Sequence, residues 1–145
     1  MSATPFPLQL VQLFFTRSVV LAVHDHQSNG GQINPPDNSI NINKIDTMPG
    51  HFEAVMHSTM NLQAHPDQPY VIDMEAVAIF AVDEALGEDE AVSGVMITAH
   101  SVLFGAIREA VAWLTSRQPY GPLLFGLSIL PRATQSDDSS ENSTE

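Results

Sequence analysis

The chain contains no cysteine among its 145 residues, and only five of its residues are lysine or arginine. Without cysteine it has no disulfide, no thiolate metal ligand and no thiol nucleophile. A net charge of −12 argues against nucleic-acid binding, because contact with a phosphate backbone requires clustered basic residues. No uninterrupted apolar run reaches about 18 residues, so we expect no membrane insertion.

The N-terminus lacks the features of a secretory signal. No positive charge precedes the apolar residues Phe6–Leu10, and Arg17 lies inside the apolar stretch that follows. Signal peptides have the opposite order, so we expect a cytoplasmic protein. The acidic surface has two interpretations: it keeps the protein soluble, or it attracts a basic partner.

The length and composition of the chain fit one folded domain. Apolar residues make up 43% of the sequence, which is near the norm for globular proteins. From Thr134 to Glu145 the sequence is rich in serine and acids and contains no apolar residue. We therefore predict a single domain at 1–133, followed by a disordered acidic tail at 134–145.

Alternation of apolar and polar residues predicts four strands in the first part of the chain. Residues 8–22 are rich in Leu, Val and Phe, and a change of phase near their centre predicts a long strand with a bulge. A loop at 24–39, rich in Gly, Pro and Asn, separates it from a weaker strand at 41–48. Residues 52–64 and 70–82 complete the set.

The last two predicted strands differ in how their faces are used. The strand at 52–64 has one apolar and one polar face, which is typical of an antiparallel strand with one wet side. The strand at 70–82 begins in the same way, but Val77, Ile79 and Ala81 make its second face apolar towards the end. That end needs cover on both sides, from a helix of this chain or from another subunit.

A helical period replaces the strand period in the last third of the chain. Three acids at 88–90 favour a helix N-terminus, and we predict a short helix at 89–99. A second helix at 103–117, with Thr98 or Ser101 as its cap, is apolar around most of its circumference. Such a helix suits a position between layers or between subunits. Strands followed by helices predict an α+β domain, with one antiparallel sheet and its helices on one face.

A search for catalytic and metal-binding residues gives two weak candidates. His24-Asp25-His26 has metal-ligating side chains, but no third spaced ligand lies nearby, so an exposed loop is the preferred interpretation. Asp73 and Glu75 lie about 6–7 Å apart on one strand face, a spacing comparable to that of glycosidase carboxylates. Two acids on a wet face are usually only solvated. We therefore predict no catalytic residue, no metal, no cofactor and no enzyme activity.

The second predicted helix and the turn after it carry a more specific pattern, which consists of Leu103-Phe104, Ile107-Arg108-Glu109, an apolar stretch, Arg117 and the turn Pro119-Tyr120. This pattern resembles the signature helix of the SecB family of export chaperones. Together with the strands before it, the resemblance covers roughly residues 6–128.

The resemblance implies a four-stranded antiparallel sheet with helices on one face, and a homotetramer built as a dimer of dimers. The apolar helix would then be buried between dimers, with Ile107, Arg108, Glu109 and Val111 as the assembly residues. It also implies a holdase that keeps preproteins unfolded for Sec-dependent export and delivers them to the SecA motor.

The resemblance is incomplete at the positions that contact SecA in the family. Val71 and Asp73 match the apolar and acidic contact positions. Ser18 and Ala22 stand where the family carries acids on the first strand. This departure makes a second chaperone function an alternative, in which the client is the antitoxin of a toxin–antitoxin system.

A holdase needs exposed apolar surface rather than a catalytic group. Among the aromatic residues, Tyr120, Phe125 and Phe15 are the candidates for a client groove. A small α+β ligand-binding domain or hydrolase, using Asp73 and Glu75 or the histidine loop, remains the alternative from another class.

Overall fold

The computed structural model describes residues 7–27 and 33–126. In chain order these residues form four strands and one helix, namely β1 (Leu8–Ala22), β2 (Asp37–Lys44), β3 (His51–Met60), β4 (Tyr70–Val82) and α1 (Glu88–Thr115). The predicted acidic tail at 134–145 and the predicted end of the domain lie outside the described residues.

The strands form one antiparallel sheet in the order β1-β4-β3-β2. The apolar strand β4 lies inside the sheet and pairs with β1 on one side and β3 on the other. β2 pairs with β3. β1 and β2 are therefore the edge strands, and the predicted α+β class with one four-stranded antiparallel sheet is confirmed.

β1 contains two bulges, where the sequence predicts one near Leu13–Phe15. Its register with β4 shifts between Leu10 and Gln12 and again between Phe15 and Arg17. Each shift adds one residue and moves the side chains that follow to the opposite face. The middle of the strand is therefore out of phase with both ends, and the sequence pattern reveals only one of the two changes.

The core lies between the sheet and α1. Alternate residues of β3 and β4 point towards the helix and are almost completely buried, and α1 meets them with a stripe of small and aliphatic residues. Burying one large aliphatic side chain contributes about 1.5–3 kcal/mol, so this layer supplies much of the favourable free energy of folding. Its main members are Phe52, Ala54, Met56, Ile72, Met74, Phe80, Val95, Ala99, Leu103, Ile107 and Val111.

α1 is one continuous helix of 28 residues, although the sequence predicts two. Thr98 and Ser101, the predicted cap residues, lie in its interior. Buried residues recur on both sides of that point, from Ala91 to Val111, so packing against the sheet favours one uninterrupted helix over a local cap.

The length and composition of α1 overlap with those of membrane-spanning helices. An 18-residue window of α1 has a mean hydropathy of 1.4, although polar residues interrupt every apolar run within it. Core helices of soluble proteins have similar values. One side of α1 is packed on the sheet, so hydropathy alone does not assign it to a membrane.

Two predicted strand boundaries are wrong by several residues. β2 occupies 37–44 rather than 41–48, because its pairing with β3 outweighs the low strand propensity of Asp and Asn. β3 ends at Met60 rather than at residue 64. Asn61 has a φ of 52° and its side-chain Oδ1 accepts a hydrogen bond of 2.9 Å from the His65 N–H, which starts a turn.

Candidate functional site

The face of the sheet turned away from α1 is uncovered in the described part of the chain. Phe14 and Val55 lie side by side with Val77 on this face, since each is its cross-strand partner. Val77 is nearly buried between them, whereas Ile79 farther along β4 is partly exposed. The end of β4 that the sequence predicts to need cover on both sides is thus covered by a helix on one side only.

Five polar side chains on the same face join three strands. His57 Nε2 lies 2.6 Å from Asp73 Oδ1, and Arg17 Nη1 lies 3.4 Å from the same oxygen. Thr16 donates a hydrogen bond of 2.7 Å to Glu75 Oε1. We call these five residues the open-face cluster.

The open-face cluster keeps Asp73 ionised. The hydrogen bond with His57 has the largest effect and lowers the pKa of the Asp73 carboxyl; partial burial opposes this effect, and Arg17 lowers the pKa further. The Asp73 carboxylate is therefore hydrogen-bonded by side chains of the two neighbouring strands. Glu75, the other carboxylate of the weak candidate pair, accepts the hydrogen bond of Thr16.

The four positions matched to the family's motor contact do not form one surface. Val71 and Asp73 lie on the open face, whereas Ser18 and Ala22 lie on the face towards α1. The second bulge of β1 produces this division, because it shifts the phase of the strand and brings Arg17 to the open face.

β1 exposes apolar side chains along an edge of the sheet. Leu10, Val11 and Leu21 are 47%, 53% and 57% exposed, and Phe14 and Phe15 are about one third exposed. No strand among the described residues pairs with the outer edge of β1. An apolar edge strand of 15 residues offers both unpaired backbone groups and apolar surface to another extended chain.

Residues 116–126, here called the returning segment, fold back from the end of α1 onto the sheet. Gln118 Nε2 donates a hydrogen bond of 3.2 Å to Val20 O, and Tyr120 Oη donates one of 2.6 Å to Val23 O. These bonds attach the end of the described chain to the end of its first strand.

The Tyr120 hydroxyl donates a hydrogen bond to a backbone carbonyl that would normally accept one from a backbone N–H of the neighbouring strand. The Val23 N–H donates a hydrogen bond of 2.8 Å to Pro69 O. In an antiparallel pair, the reciprocal hydrogen bond would come from the N–H of residue 69, which proline lacks. The Tyr120 hydroxyl supplies a donor to Val23 O instead.

A second tyrosine holds the same segment from the start of β4. Tyr70 Oη donates a hydrogen bond of 2.5 Å to Gly121 O, and the rings of Tyr70 and Tyr120 meet edge to face at 5.8 Å. Burial raises the pKa of the Tyr70 hydroxyl, which keeps it protonated as a donor.

The three aromatic residues predicted to line a client groove lie in different environments. Phe125 is 3% exposed and stacks on Phe104 with ring centroids 6.3 Å apart, so it belongs to the core. Tyr120 is 40% exposed, and Phe15 is 37% exposed on β1. In this chain, Phe15 and Tyr120 are accessible to a client and Phe125 is not.

Two of the four predicted assembly residues are buried within the chain itself. Ile107 and Val111 are fully buried in the core between α1 and the sheet. Arg108 is partly buried and its Nε donates a hydrogen bond of 2.6 Å to Phe125 O, whereas Glu109 is exposed. The motif of the second predicted helix therefore makes contacts within one chain, which stabilise the fold of the monomer whether or not the protein assembles.

The helix predicted to be apolar around most of its circumference exposes apolar residues on the side away from the sheet. Ile97 and Trp113 are 62% and 64% exposed on the side away from the sheet. A signal for Trp113 exists in the sequence, because buried residues at Leu103, Ile107 and Val111 define one side of the helix and position 113 falls on the other.

The histidine loop is part of a surface turn. His24 pairs with Asp25 at 2.8 Å, and both side chains are exposed. His26 Nδ1 lies 2.7 Å from Pro66 O, and its ring packs against Tyr120. Within residues 7–27 and 33–126, no group of three or more His, Asp or Glu side chains is arranged to hold a metal ion.

The sheet order and the single long helix on one face define a SecB-like α+β fold. No family model matches the sequence, and no curated protein matches it either. Among solved structures, the fold is similar to a SecB-like chaperone of Mycobacterium tuberculosis in complex with a ChAD peptide from the HigA1 antitoxin. The TM-score is 0.61 at 20% identity, and the match covers 86% of this chain and 93% of the other.

A second solved structure has a similar fold. It is a protein of unknown function from Streptococcus agalactiae, with a TM-score of 0.54 and 10% identity. The match covers 83% of this chain and 97% of that one. Identities this low establish a common fold and leave function to be argued from the surfaces described above.

Proposed function

We propose that this protein is a SecB-like chaperone that holds an extended segment of another polypeptide, and that its client is an antitoxin. The observation that carries the proposal is the similarity in fold to a SecB-like chaperone whose structure contains an antitoxin peptide. The exposed apolar side chains of β1 supply the physical basis. A client that covers them gains about 25 cal/mol for each Å² of apolar area buried.

The acidic composition supports the same kind of partner. A net charge of −12 repels other copies of the chain outside specific contacts and attracts segments that combine basic and apolar residues. Charge steers the encounter and apolar burial retains the client, so neither step needs a catalytic residue. We propose accordingly that the protein is not an enzyme and acts in the cytoplasm.

Export of preproteins through SecA is the second candidate, and the same acidic composition favours it. Two observations rank it below the antitoxin client. The Asp73 carboxylate is hydrogen-bonded with His57 and paired with Arg17, and Ser18 and Ala22 lie on the other face from Val71 and Asp73. A basic motor surface would find little free negative charge at the matched positions.

We also propose that the chain assembles as a homotetramer, a dimer of dimers. The exposed apolar side of α1, with Ile97 and Trp113, offers one of the contact surfaces that such an assembly needs. Mass measurement in solution tests this directly, since a tetramer has four times the chain mass of 15.7 kDa. A monomer at micromolar concentration would contradict the proposal.

Two binding measurements test the chaperone function. The protein should delay refolding of a chemically denatured, slow-folding protein, and it should bind an antitoxin encoded beside it in a pull-down. Retention of SecA rather than the antitoxin would favour the export function. Failure to delay refolding, together with failure to bind either partner, would contradict both.

A further inference from the structure

The end of the returning segment lies against α1 with alternate side chains buried. Leu123 and Phe125 are 5% and 3% exposed, whereas Leu124 between them is 66% exposed. The Leu123 N–H donates a hydrogen bond of 2.8 Å to Thr115 Oγ1, and Phe125 O accepts one from Arg108 Nε. An extended apolar peptide bound to the helix would make the same four contacts.

The two buried residues of this segment fill a groove whose walls are apolar. Phe104 and Val111 of α1 and Tyr70 of β4 belong to the same core cluster as Leu123 and Phe125. Removal of the segment would expose these walls to water. Exposure of these apolar walls to water is unfavourable, so the groove is more stable when it is filled. A segment of another polypeptide could fill it as well as residues 121–126 do.

We propose that the client displaces residues 121–126 and occupies their place on α1. Two apolar side chains at alternate positions of the client would fill the sites of Leu123 and Phe125. Arg108 would then donate to a backbone carbonyl of the client, and Thr115 would accept from a backbone N–H. Since both polar contacts go to backbone, the groove selects extended apolar segments rather than one sequence. This inference rests on the proposed chaperone function and adds a second client site to the exposed apolar side chains of β1.

The attachment of the returning segment suits such an exchange. Side chains of Gln118, Tyr120 and Tyr70 hold it to the sheet, and no strand ladder does. Gln118 Oε1 is buried and has no hydrogen-bond partner among the described residues, which weakens the attachment further. Elements held by few bonds open at lower cost than the strands and helices of the core.

Removing either tyrosine hydroxyl tests the exchange in the full-length protein. Tyr120→Phe and Tyr70→Phe each remove one hydrogen bond and keep the ring. The probe is a fluorescein-labelled peptide with the sequence of residues 119–126, followed by anisotropy. Each variant should bind the probe about two-fold to ten-fold more tightly than the unchanged protein, because a larger fraction of molecules has the groove free.

Two controls separate displacement from a general loss of structure. Thr16→Val removes a hydrogen bond of similar length on the open face and should leave the affinity for the probe unchanged. A probe with aspartate at the positions of Leu123 and Phe125 should not bind any of the proteins. Hydrogen exchange at 116–126 should accelerate in the two tyrosine variants and not in Thr16→Val.

The outcomes distinguish this inference from the proposed function. Unchanged or weaker probe binding by both tyrosine variants, with refolding of a denatured client still delayed, would overturn the exchange and leave the chaperone function standing. A protein that neither binds the probe nor delays refolding would overturn both.

Discussion

The two faces of the sheet are built from the same strands but differ in burial and in polarity. The face towards α1 is apolar, dry and continuous with the helix, and its residues in β3 and β4 are almost completely buried. The other face mixes an apolar patch around Val77 with the open-face cluster and has no helix over it among the described residues. One face stabilises the fold, and in residues 7–27 and 33–126 the other face and the β1 edge are left accessible for binding.

The largest effect is expected from a charge placed in the covered layer. Ile107→Asp should cost several kcal/mol or prevent folding, because a carboxylate would be buried without a partner. Ser101→Asp, at an exposed position of the same helix, is the matched control and should cost about 0.5 kcal/mol or less. Urea unfolding followed by circular dichroism compares the two. Equal destabilisation by the two changes would contradict the burial of only one side of α1.

A smaller effect should follow from a cavity in the same layer. Ile72→Ala should destabilise the protein by about 2–5 kcal/mol, because its side chain is fully buried. Leu21→Ala, in the neighbouring strand but more than half exposed, should cost about 0.5 kcal/mol. Urea midpoints measure both changes. A large loss for Leu21→Ala would mean that another subunit already buries the edge strand.

Client binding should be reduced by changes at exposed residues of β1 rather than at buried residues of the core. The double variant Leu10→Asp with Leu21→Asp should reduce the affinity for an unfolded client by about tenfold or more, since two apolar contacts are lost. Its secondary structure should remain that of the unchanged protein, because both residues are exposed. Refolding assays and circular dichroism measure the two properties. Full holdase activity in this variant would exclude the β1 edge as a client surface.

The smallest effect concerns Asp73 and depends on pH. Its carboxyl has a lowered pKa in the folded state, so the associated stability is present above the ordinary value of 3.8 and is lost as pH falls through the lowered pKa. Asp73→Asn should therefore be less stable than the unchanged protein near neutral pH, by about 1 kcal/mol or less. The difference should begin to shrink as pH falls below 3.8 and should vanish only below the lowered pKa. Urea unfolding at several pH values measures it, and a constant difference would contradict the contribution of His57 and Arg17.

The regular part of the fold could be predicted from the sequence because its periodicity reflects burial directly. In β4 and most of β3, buried and less buried residues alternate along the strand. Successive side chains point to opposite faces of the sheet, so the alternation identifies the buried face. β2 could be located only approximately, since Asp and Asn form a strand there through pairing with β3 rather than through their own preference. The sequence predicts two helices instead of α1, because Thr98 and Ser101 are residue types that often cap a helix. The packing on the sheet that keeps α1 continuous has no signal at those two residues.

The surfaces were harder to predict than the fold. Whether an aromatic residue lines a groove or fills one depends on where the chain goes next, and Phe125 is buried only because the returning segment folds back along α1. The open-face cluster depends on the second bulge of β1, which sets the direction of Arg17. The phase change in the sequence indicates a bulge but not the partners of Arg17, since both features are produced by contacts between residues far apart in the sequence.

The hydrogen bond from Tyr120 to Val23 has a consequence for synthesis on the ribosome. These residues are separated by 97 positions, and β1 has no partner until β4 has been made. A nascent chain therefore carries an apolar strand that stays unpaired until β4 has been translated. Such high contact order slows folding and prolongs exposure to aggregation. During its own synthesis the protein passes through the unfolded, apolar state that it is proposed to protect in others.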